Sequence, residues 1–290
     1  MRLLSLRSNN GISCDEFGRN NIPPYAILSH TWGAEEFTFA DLQDEHARKK
    51  IGYRKVRFCG EQAERDGLRY FWVDSCCIDK KNSTELTEAI NSMFHWYRGA
   101  VKCYVHLSDV SSSAAGSSAE HCRSAWEAEF RKSKWFKRGW TLQELLAPAD
   151  VAFYSLQHQR LGTKDSLCSL IHDITGIPKL ALRGQPLDTF APDERWKWAD
   201  GRETTREEDE AYCLLGIFNI YMPFIYGESK DSAMRRLRKE LGMSSKISKT
   251  YNTAIEDHKR DHGGKFHVSC CIPTANSVSS LPSISRFLEP

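Results

Sequence analysis

Long apolar runs are missing from this chain. No stretch approaches the roughly 18 residues that a helical membrane crossing needs, so no membrane span is expected. An excess of one charge is missing too. Forty Lys and Arg stand against 38 Asp and Glu, a net charge of +2, too balanced for a protein that holds nucleic acid or a lipid surface by bulk charge. No nucleic-acid partner is expected. The patterns GxGxxG, GxxxxGK and GxSxG are absent, which removes the dinucleotide fingerprint, the P-loop and the serine-hydrolase elbow. Cys-x-x-Cys spacing is absent as well, so the ten cysteines give no zinc ribbon and no metal site is expected. Cys76-Cys77 and Cys270-Cys271 are adjacent pairs. Cys103 and Cys213 lie in apolar segments, where a free thiol packs as a small hydrophobe. Reduced, structural thiols are the expectation. The opening residues MRLLSLRSNNGISCDEF turn polar too soon for a secretory signal, and a soluble, cytoplasmic protein is expected.

What is present is a core. Hydrophobic residues make up 40% of the 290, with eight Trp, which excludes a disordered chain, a collagen or a coiled-coil rod. Up to about residue 156, short apolar runs alternate with helical patterns. YAILS (25–29), RYFWVD (69–74), KCYVHLSD (102–109) and DVAFYS (150–155) read as buried strands. Asn82 with Glu85 forms a candidate capping box, after which Leu86, Ile90, Met93, Phe94 and Tyr97 fall on one helix face. Val56, Cys59 and Ala63 trace a weaker stripe before Gly67. Strand-helix-strand alternation predicts an α/β fold with a mostly parallel sheet flanked by helices. The tract SSSAAGSSAE (111–120) reads as a surface loop.

Residues 157–241 read as an additional helical region. Leu167, Leu170, Ile171 and Ile174 repeat at helical spacing and are closed by Gly176 and Pro178. Thr204 or Thr205, with Glu207 or Glu208 three residues on, is expected to open a helix into AYCLLGIF, with the charge run RETTREEDE as its solvated first turn. A last helix carries Ala233, Met234 and Leu237. Residues 242–290 are polar and Ser-rich, and read as a tail or linker.

In an open parallel sheet, ligands bind beyond the carboxyl ends of the strands. Three strand ends carry polar residues here: Ser29-His30-Thr31-Trp32-Gly33, Asp74-Ser75-Cys76-Cys77, and Ser108-Asp109. Together they predict a cleft. The stretch KWFKRGWTLQELL (134–146), as a helix starting near Gly139, puts Leu142, Leu145 and Leu146 on one face. Trp140 and Glu144 share roughly the opposite one. A carboxylate beside an indole is one way a pocket raises a Glu pKa or aims it at a cationic centre. Periodicity alone reads Glu144 as a solvating surface residue. Weaker candidates are His30 as a base or as a hydrogen-bonded turn residue, Cys76 or Cys77 as a nucleophile, and Asp74 with Asp79 as metal ligands or helix caps.

The segments YAILSHTWGAEEFTFADL, YFWVDSCCIDKKNSTELTEAINSMFHWY, KWFKRGWTLQELLAP and REEDEAYCLLGIFNIYMPFIYGE together resemble the fungal heterokaryon-incompatibility (HET) domain, in order, over 1–241. Within that span the reading divides at about 156 into an α/β part and the helical part. No nucleotide-binding oligomerisation module or repeat array follows, so the expectation is a stand-alone member or an excised domain. A more distant resemblance links the α/β part to Toll/interleukin-receptor (TIR) domains and implies a flavodoxin-like sheet. On that resemblance Ser29-His30-Thr31-Trp32-Gly33 stands where plant-type members carry Ser-Phe-x-Gly. Ala89-Ile90 falls on their Ala-Ile helix, and Trp140-Thr141-Leu142-Gln143-Glu144-Leu145 stands for Trp-Cys-Leu-x-Glu-Leu. The first motif carries one extra residue, Thr141 replaces Cys, and 157–241 has no TIR counterpart.

The HET resemblance implies a trigger of programmed cell death when unlike fungal cells fuse, with an incompatibility partner protein. The TIR resemblance implies cleavage of NAD, as substrate and not as cofactor, with the catalytic Glu falling on Glu144. It also implies homo-oligomerisation on activation. Ser29, His30, Gly33 and Asp74 are then expected to line the cleft, Trp32 or Trp140 to stack on nicotinamide, and Arg138 to meet phosphate. The alternative is a non-enzymatic death-signalling module that self-associates or docks to a partner, using the 86–97 stripe and the LLGIF and MPFIYG segments. A third reading is a degenerate, inactive relative.

Overall fold

Seven strands form one sheet in the order β2-β1-β4-β3-β5-β6-β7. They are β1 (Arg2–Leu6), β2 (Ile12–Glu16), β3 (Tyr25–His30), β4 (Tyr70–Trp72), β5 (Lys102–His106), β6 (Val151–Tyr154) and β7 (Arg160–Thr163). The computed structural model describes residues 1–8, 11–112 and 119–242. The 242–290 tail beyond its first residue, most of the 111–120 tract and the Cys270-Cys271 pair lie outside the described residues. Met1–Gly242 forms one compact unit.

The four strands expected from the sequence are the centre of the sheet. β3 pairs in parallel with β4 on one side and β5 on the other, and β5 pairs in parallel with β6. Counted in chain order, these four run 2-1-3-4, the opening of the flavodoxin-type order. All six residues of β3 are buried, as a strand covered on both faces requires. Three short strands were not anticipated. β1 and β2 form an antiparallel hairpin against β4, and β7 runs antiparallel to β6.

Helices cover both faces. They are α1 (Ile51–Arg65), α2 (Asp74–Cys77), α3 (Ser83–Gly99), α4 (Ala119–Lys132), α5 (Thr141–Leu146), α6 (Cys168–Thr175), α7 (Lys179–Leu182), α8 (Pro192–Lys197), α9 (Asp209–Tyr212) and α10 (Leu215–Phe218). α1 packs on β1, β3, β4 and β5, with Val56, Cys59 and Ala63 fully buried. α3 packs against α5 and α10, and Ile90, Met93, Phe94 and Tyr97 of the expected stripe are buried. The capping box is only half made. Asn82 accepts from the Glu85 amide, but the Glu85 carboxylate turns to the Asp79 amide and to Arg2.

The stretch 157–241, read as helical, begins with strand β7, which pairs with β6 and so completes the sheet; beyond it the region is helical, with two further corrections. α6 ends at Gly176 in the left-handed conformation, φ 68°, as its sequence suggested. Residues 203–208, however, precede α9 and are not its first turn. Glu208 and Asp209 are buried, because Glu208 accepts from the Gly227 amide at 2.5 Å and Asp209 accepts from the Tyr226 hydroxyl at 3.0 Å. The expected long helix through AYCLLGIF is two one-turn helices, α9 and α10. A last helix spans 230–242 and buries Ala233 and Leu237. Gly216 of α10 sits where a Cβ would lie 2.3 Å from Phe94 atoms, so this close approach to α3 depends on glycine.

Candidate active site

Side chains alternate along a strand, and the end of β3 uses that alternation to serve two faces. Ser29 points toward α5 and His30 toward α1. Ser29 is fully buried and its hydroxyl donates to Glu144 Oε2, while the indole N–H of Trp135 donates to the Ser29 oxygen at 2.8 Å. Trp is a donor only. The Ser29 oxygen is therefore occupied as acceptor by Trp135, and its one proton is committed to Glu144. Trp135 is 1% exposed and sits in the 3₁₀ turn Lys134–Lys137, which is fixed because Asp109 accepts from the Ser133 hydroxyl (2.8 Å) and the Lys134 amide (2.7 Å). The Ser108-Asp109 strand end thus braces the site from behind and does not line it.

Glu144 is 7% exposed, so the surface reading from periodicity is overturned. The reason is that α5 is too short and too enclosed to have a wet face: all six of its residues are buried. Burial pushes the Glu144 carboxyl up to about 8. The Ser29 and Tyr97 hydroxyls and the Arg138 charge pull it down, and the Asp74 charge adds to the rise.

Glu144 opens on a cavity of about 300 Å³ beyond the carboxyl end of the parallel strands. His30, Trp32, Asp74, Arg138 and Trp140 line it with Glu144. Ser29 lies behind Glu144, and Gly33 does not line the cavity. The Gly33 amide instead donates to Glu36 Oε1 at 2.7 Å.

The His30 side chain is 1% exposed, with Nε2 3.5 Å from Glu36 and Nδ1 3.8 Å from Asp74, and neither nitrogen makes a hydrogen bond. It is thus not the hydrogen-bonded turn residue of the alternative reading. Glu36 is buried and paired with Lys55 of α1. Burial alone would raise its carboxyl, but His30, Lys55 and the Gly33 amide hold it down to about 2. Asp74 accepts from the Trp32 indole at 2.9 Å. Burial works to raise its carboxyl, and Lys80, His30 and that indole together hold it below the usual range.

Sequence reasoning missed several lining residues. Tyr97, Ile90 and Met93 belong to the stripe read as core, and they are both core and cavity wall. Arg206, Asp209 and Tyr226 come from the helical region. Asp209 accepts from the Trp140 indole at 3.2 Å and the Arg206 guanidinium lies 4.0 Å over the Tyr226 ring. The only sequence signal for this wall was the charged run, whose acids looked solvated.

Of the weaker candidates, His30 and Asp74 line the cavity, whereas Cys76, Cys77 and Asp79 do not. Cys76 and Cys77 are buried and burial pushes both thiols up, which leaves them poor nucleophiles. Asp79 accepts from the Lys81 amide at 3.0 Å. Among the described residues no group of three His, Cys, Asp or Glu could hold a metal ion. Cys14, Cys59, Cys76, Cys77, Cys103, Cys168 and Cys213 are free thiols.

A model of the heterokaryon incompatibility protein (HET) family matches residues 25–144, from the first residue of β3 to the buried carboxylate itself. This chain is a HET-domain protein. The vegetative incompatibility protein HET-E-1 of Podospora anserina is 56% identical to it over 223 residues. That alignment covers 76% of this chain and 16% of the relative, so the chain spans about one-sixth of the length of the protein it matches. No solved structure matches the chain. The family match ends at Glu144, so the wall formed by Arg206, Asp209 and Tyr226 lies outside it. Among the described residues no helix is long and apolar enough to cross a membrane.

Proposed function

We propose that this HET domain acts in vegetative incompatibility by hydrolysing NAD at the nicotinamide-ribose bond, and that loss of NAD triggers cell death. The observation that carries the reading is the buried Glu144, held by Ser29 at the carboxyl end of a parallel sheet and opening on an aromatic, charged cavity.

Breaking the C–N bond sends its electron pair to nicotinamide, which leaves neutral, and builds positive charge on the ribose. A carboxylate beside that carbon stabilises the charge in a water-poor site. Water then adds its oxygen to the ribose carbon and releases one proton, giving ADP-ribose. Glu144, whose carboxyl burial pushes up to about 8, is basic enough to take that proton, and a cationic ring brought beside it favours the carboxylate. No strong general acid is needed, because the leaving group is already cationic. Trp32 and Trp140 offer faces for the nicotinamide ring, and Arg138 stands at the cavity to meet phosphate.

The test is nicotinamide release from NAD, read by chromatography over a series of protein concentrations. Glu144→Ala and Glu144→Gln are expected to lose at least about 10²-fold in rate. Release that rises steeply with protein concentration would establish activation by self-assembly. Undiminished turnover in folded Glu144→Gln would sink the role of Glu144.

A second reading is favoured by one observation. The outer face of α3 and residues Tyr221–Pro223 enclose a groove of about 1120 Å³ with Trp96 and Met222 in its lining. Such a groove suits a docking module for an incompatibility partner. Cell killing that survives Glu144→Ala would favour it over the enzyme.

A further inference from the structure

The exposed face of Trp32 is already taken. The Lys80 ammonium lies 3.4 Å from the centroid of the Trp32 ring. It also lies 3.4 Å from Asp74 Oδ2, the same oxygen that receives the Trp32 indole N–H at 2.9 Å. All three side chains line the cavity that holds Glu144.

An aromatic face set against a carboxylate is the arrangement that recognises an organic cation: the ring quadrupole attracts the charge from one side and the carboxylate neutralises it from another. Here the cation comes from the chain itself. The two partners are held differently. The Trp32 ring is pinned through its N–H to Asp74, which sits at the start of α2 directly after β4. Lys80 belongs to the connection between α2 and α3, and its side chain is 40% exposed, so it can swing into water with its charge fully hydrated. Each of its two contacts is partly solvated and individually weak.

We propose that Trp32 and Asp74 form a cation subsite of the Glu144 cavity, and that Lys80 fills it in the resting protein as an internal competitor of a flat, monocationic ligand of the pyridinium class. The choice of pyridinium rests on the NAD reading. The subsite itself rests on the Trp32–Asp74–Lys80 geometry. A substrate must therefore displace Lys80 before its ring can stack, and the lysine sets a threshold on the affinity for the cationic ring without touching the carboxylate that does the chemistry.

The test uses the full chain and two small probes in calorimetric titrations: N-methylnicotinamide methylated on the ring nitrogen, which carries the cationic pyridinium without sugar or phosphate, and uncharged nicotinamide. Lys80→Ala is expected to bind N-methylnicotinamide about fivefold more tightly than the wild type, the size of one partly exposed cation contact removed from competition. Lys80→Arg restores the competitor and returns wild-type affinity. The gain disappears when Lys80→Ala is combined with Trp32→Leu. Nicotinamide affinity does not respond to Lys80→Ala.

Binding of the cation that is unchanged, weaker or undetectable in Lys80→Ala overturns the proposal, as does a gain that persists without the Trp32 ring. The two readings fail separately. Tighter N-methylnicotinamide binding with no NAD turnover leaves the subsite and removes the NAD hydrolase. NAD turnover with no response to Lys80→Ala does the reverse.

Discussion

Ser29 and Glu144 stand 115 residues apart in the chain and share one hydrogen bond in the dry interior of the protein. The bond joins the carboxyl end of β3 to a short helix that has no exposed residue. Its direction is fixed by Trp135, which can only donate. The carboxylate is therefore aimed by the framework and not by a mobile loop. Removing either end changes both the fold and the titration of the site.

Burial pushes the Glu144 carboxyl up to about 8 in the folded chain, from 4.5 for the same carboxyl in water. Between those values the folded state holds a proton that the unfolded state has released, so the contribution of Glu144 to stability falls as pH rises and levels off above about 8. Glu144→Gln removes this slope. Denaturant unfolding from pH about 5 to about 8.5 should show the wild type losing on the order of a few kcal/mol relative to the variant. His106, whose ring burial lowers to about 3, adds an opposite slope at acid pH, but it is common to both proteins and cancels.

Ser29→Ala leaves the Trp135 N–H and one Glu144 oxygen unpaired. The expected cost is about 1–3 kcal/mol in denaturant unfolding. The hydroxyl favours the charged form of Glu144, so its loss raises the carboxyl further. If the carboxylate is the active form, the rising limb of nicotinamide release against pH moves to higher pH. A purely structural Ser29 would lower the rate without moving that limb.

Lys55 and Glu36 are a buried pair with side chains 10% and 6% exposed. Lys55→Met strands a buried carboxylate and is expected to cost about 3–5 kcal/mol. Lys55→Met with Glu36→Gln should cost clearly less than the single change. Equal losses in the two variants would mean that the pairing is not what holds this corner, and thermal melts of the two proteins decide it.

Gly216→Ala places a methyl 2.3 Å from Phe94 atoms, where α10 crosses α3. Overpacking of this kind costs about 1–3 kcal/mol or more. Because Phe94 shares its helix with Ile90, Met93 and Tyr97 of the cavity wall, the variant should both melt earlier and bind cavity ligands more weakly.

The central sheet was legible because strands buried on both faces have no room for polar residues, and runs such as YAILS and KCYVHL say so directly. The edge strands were not. β1 buries its three central residues in a row and β2 buries only Ile12, so neither shows the alternation of a half-buried strand, and each is too short to separate from a polar N-terminus. Six of the site residues named from the sequence line the cavity, because strand ends and the Trp-x-x-x-Glu spacing are local signals. Ser29 contributes from one layer behind, and Gly33 only shapes the loop that presents Glu36. The wall formed by Arg206, Asp209 and Tyr226 was hidden because its acids are buried by partners 17 and 19 residues further on, which no local period reports. Glu144 itself was misplaced by periodicity, since a short helix closed in on all sides has no outer face to predict.

The antiparallel strands that close the sheet also limit how copies of this domain can meet. β2 ends in Asp15-Glu16, and β7 is four residues long beside a register shift at Phe153/Tyr154. Short, charged and bulged edges refuse strand addition. An assembly of such domains would grow through its helix-clad flanks, where the order of subunits is set by side-chain shape and charge. Filament growth by backbone zippering, which would spread indiscriminately from one chain to any other, is disfavoured at both described margins.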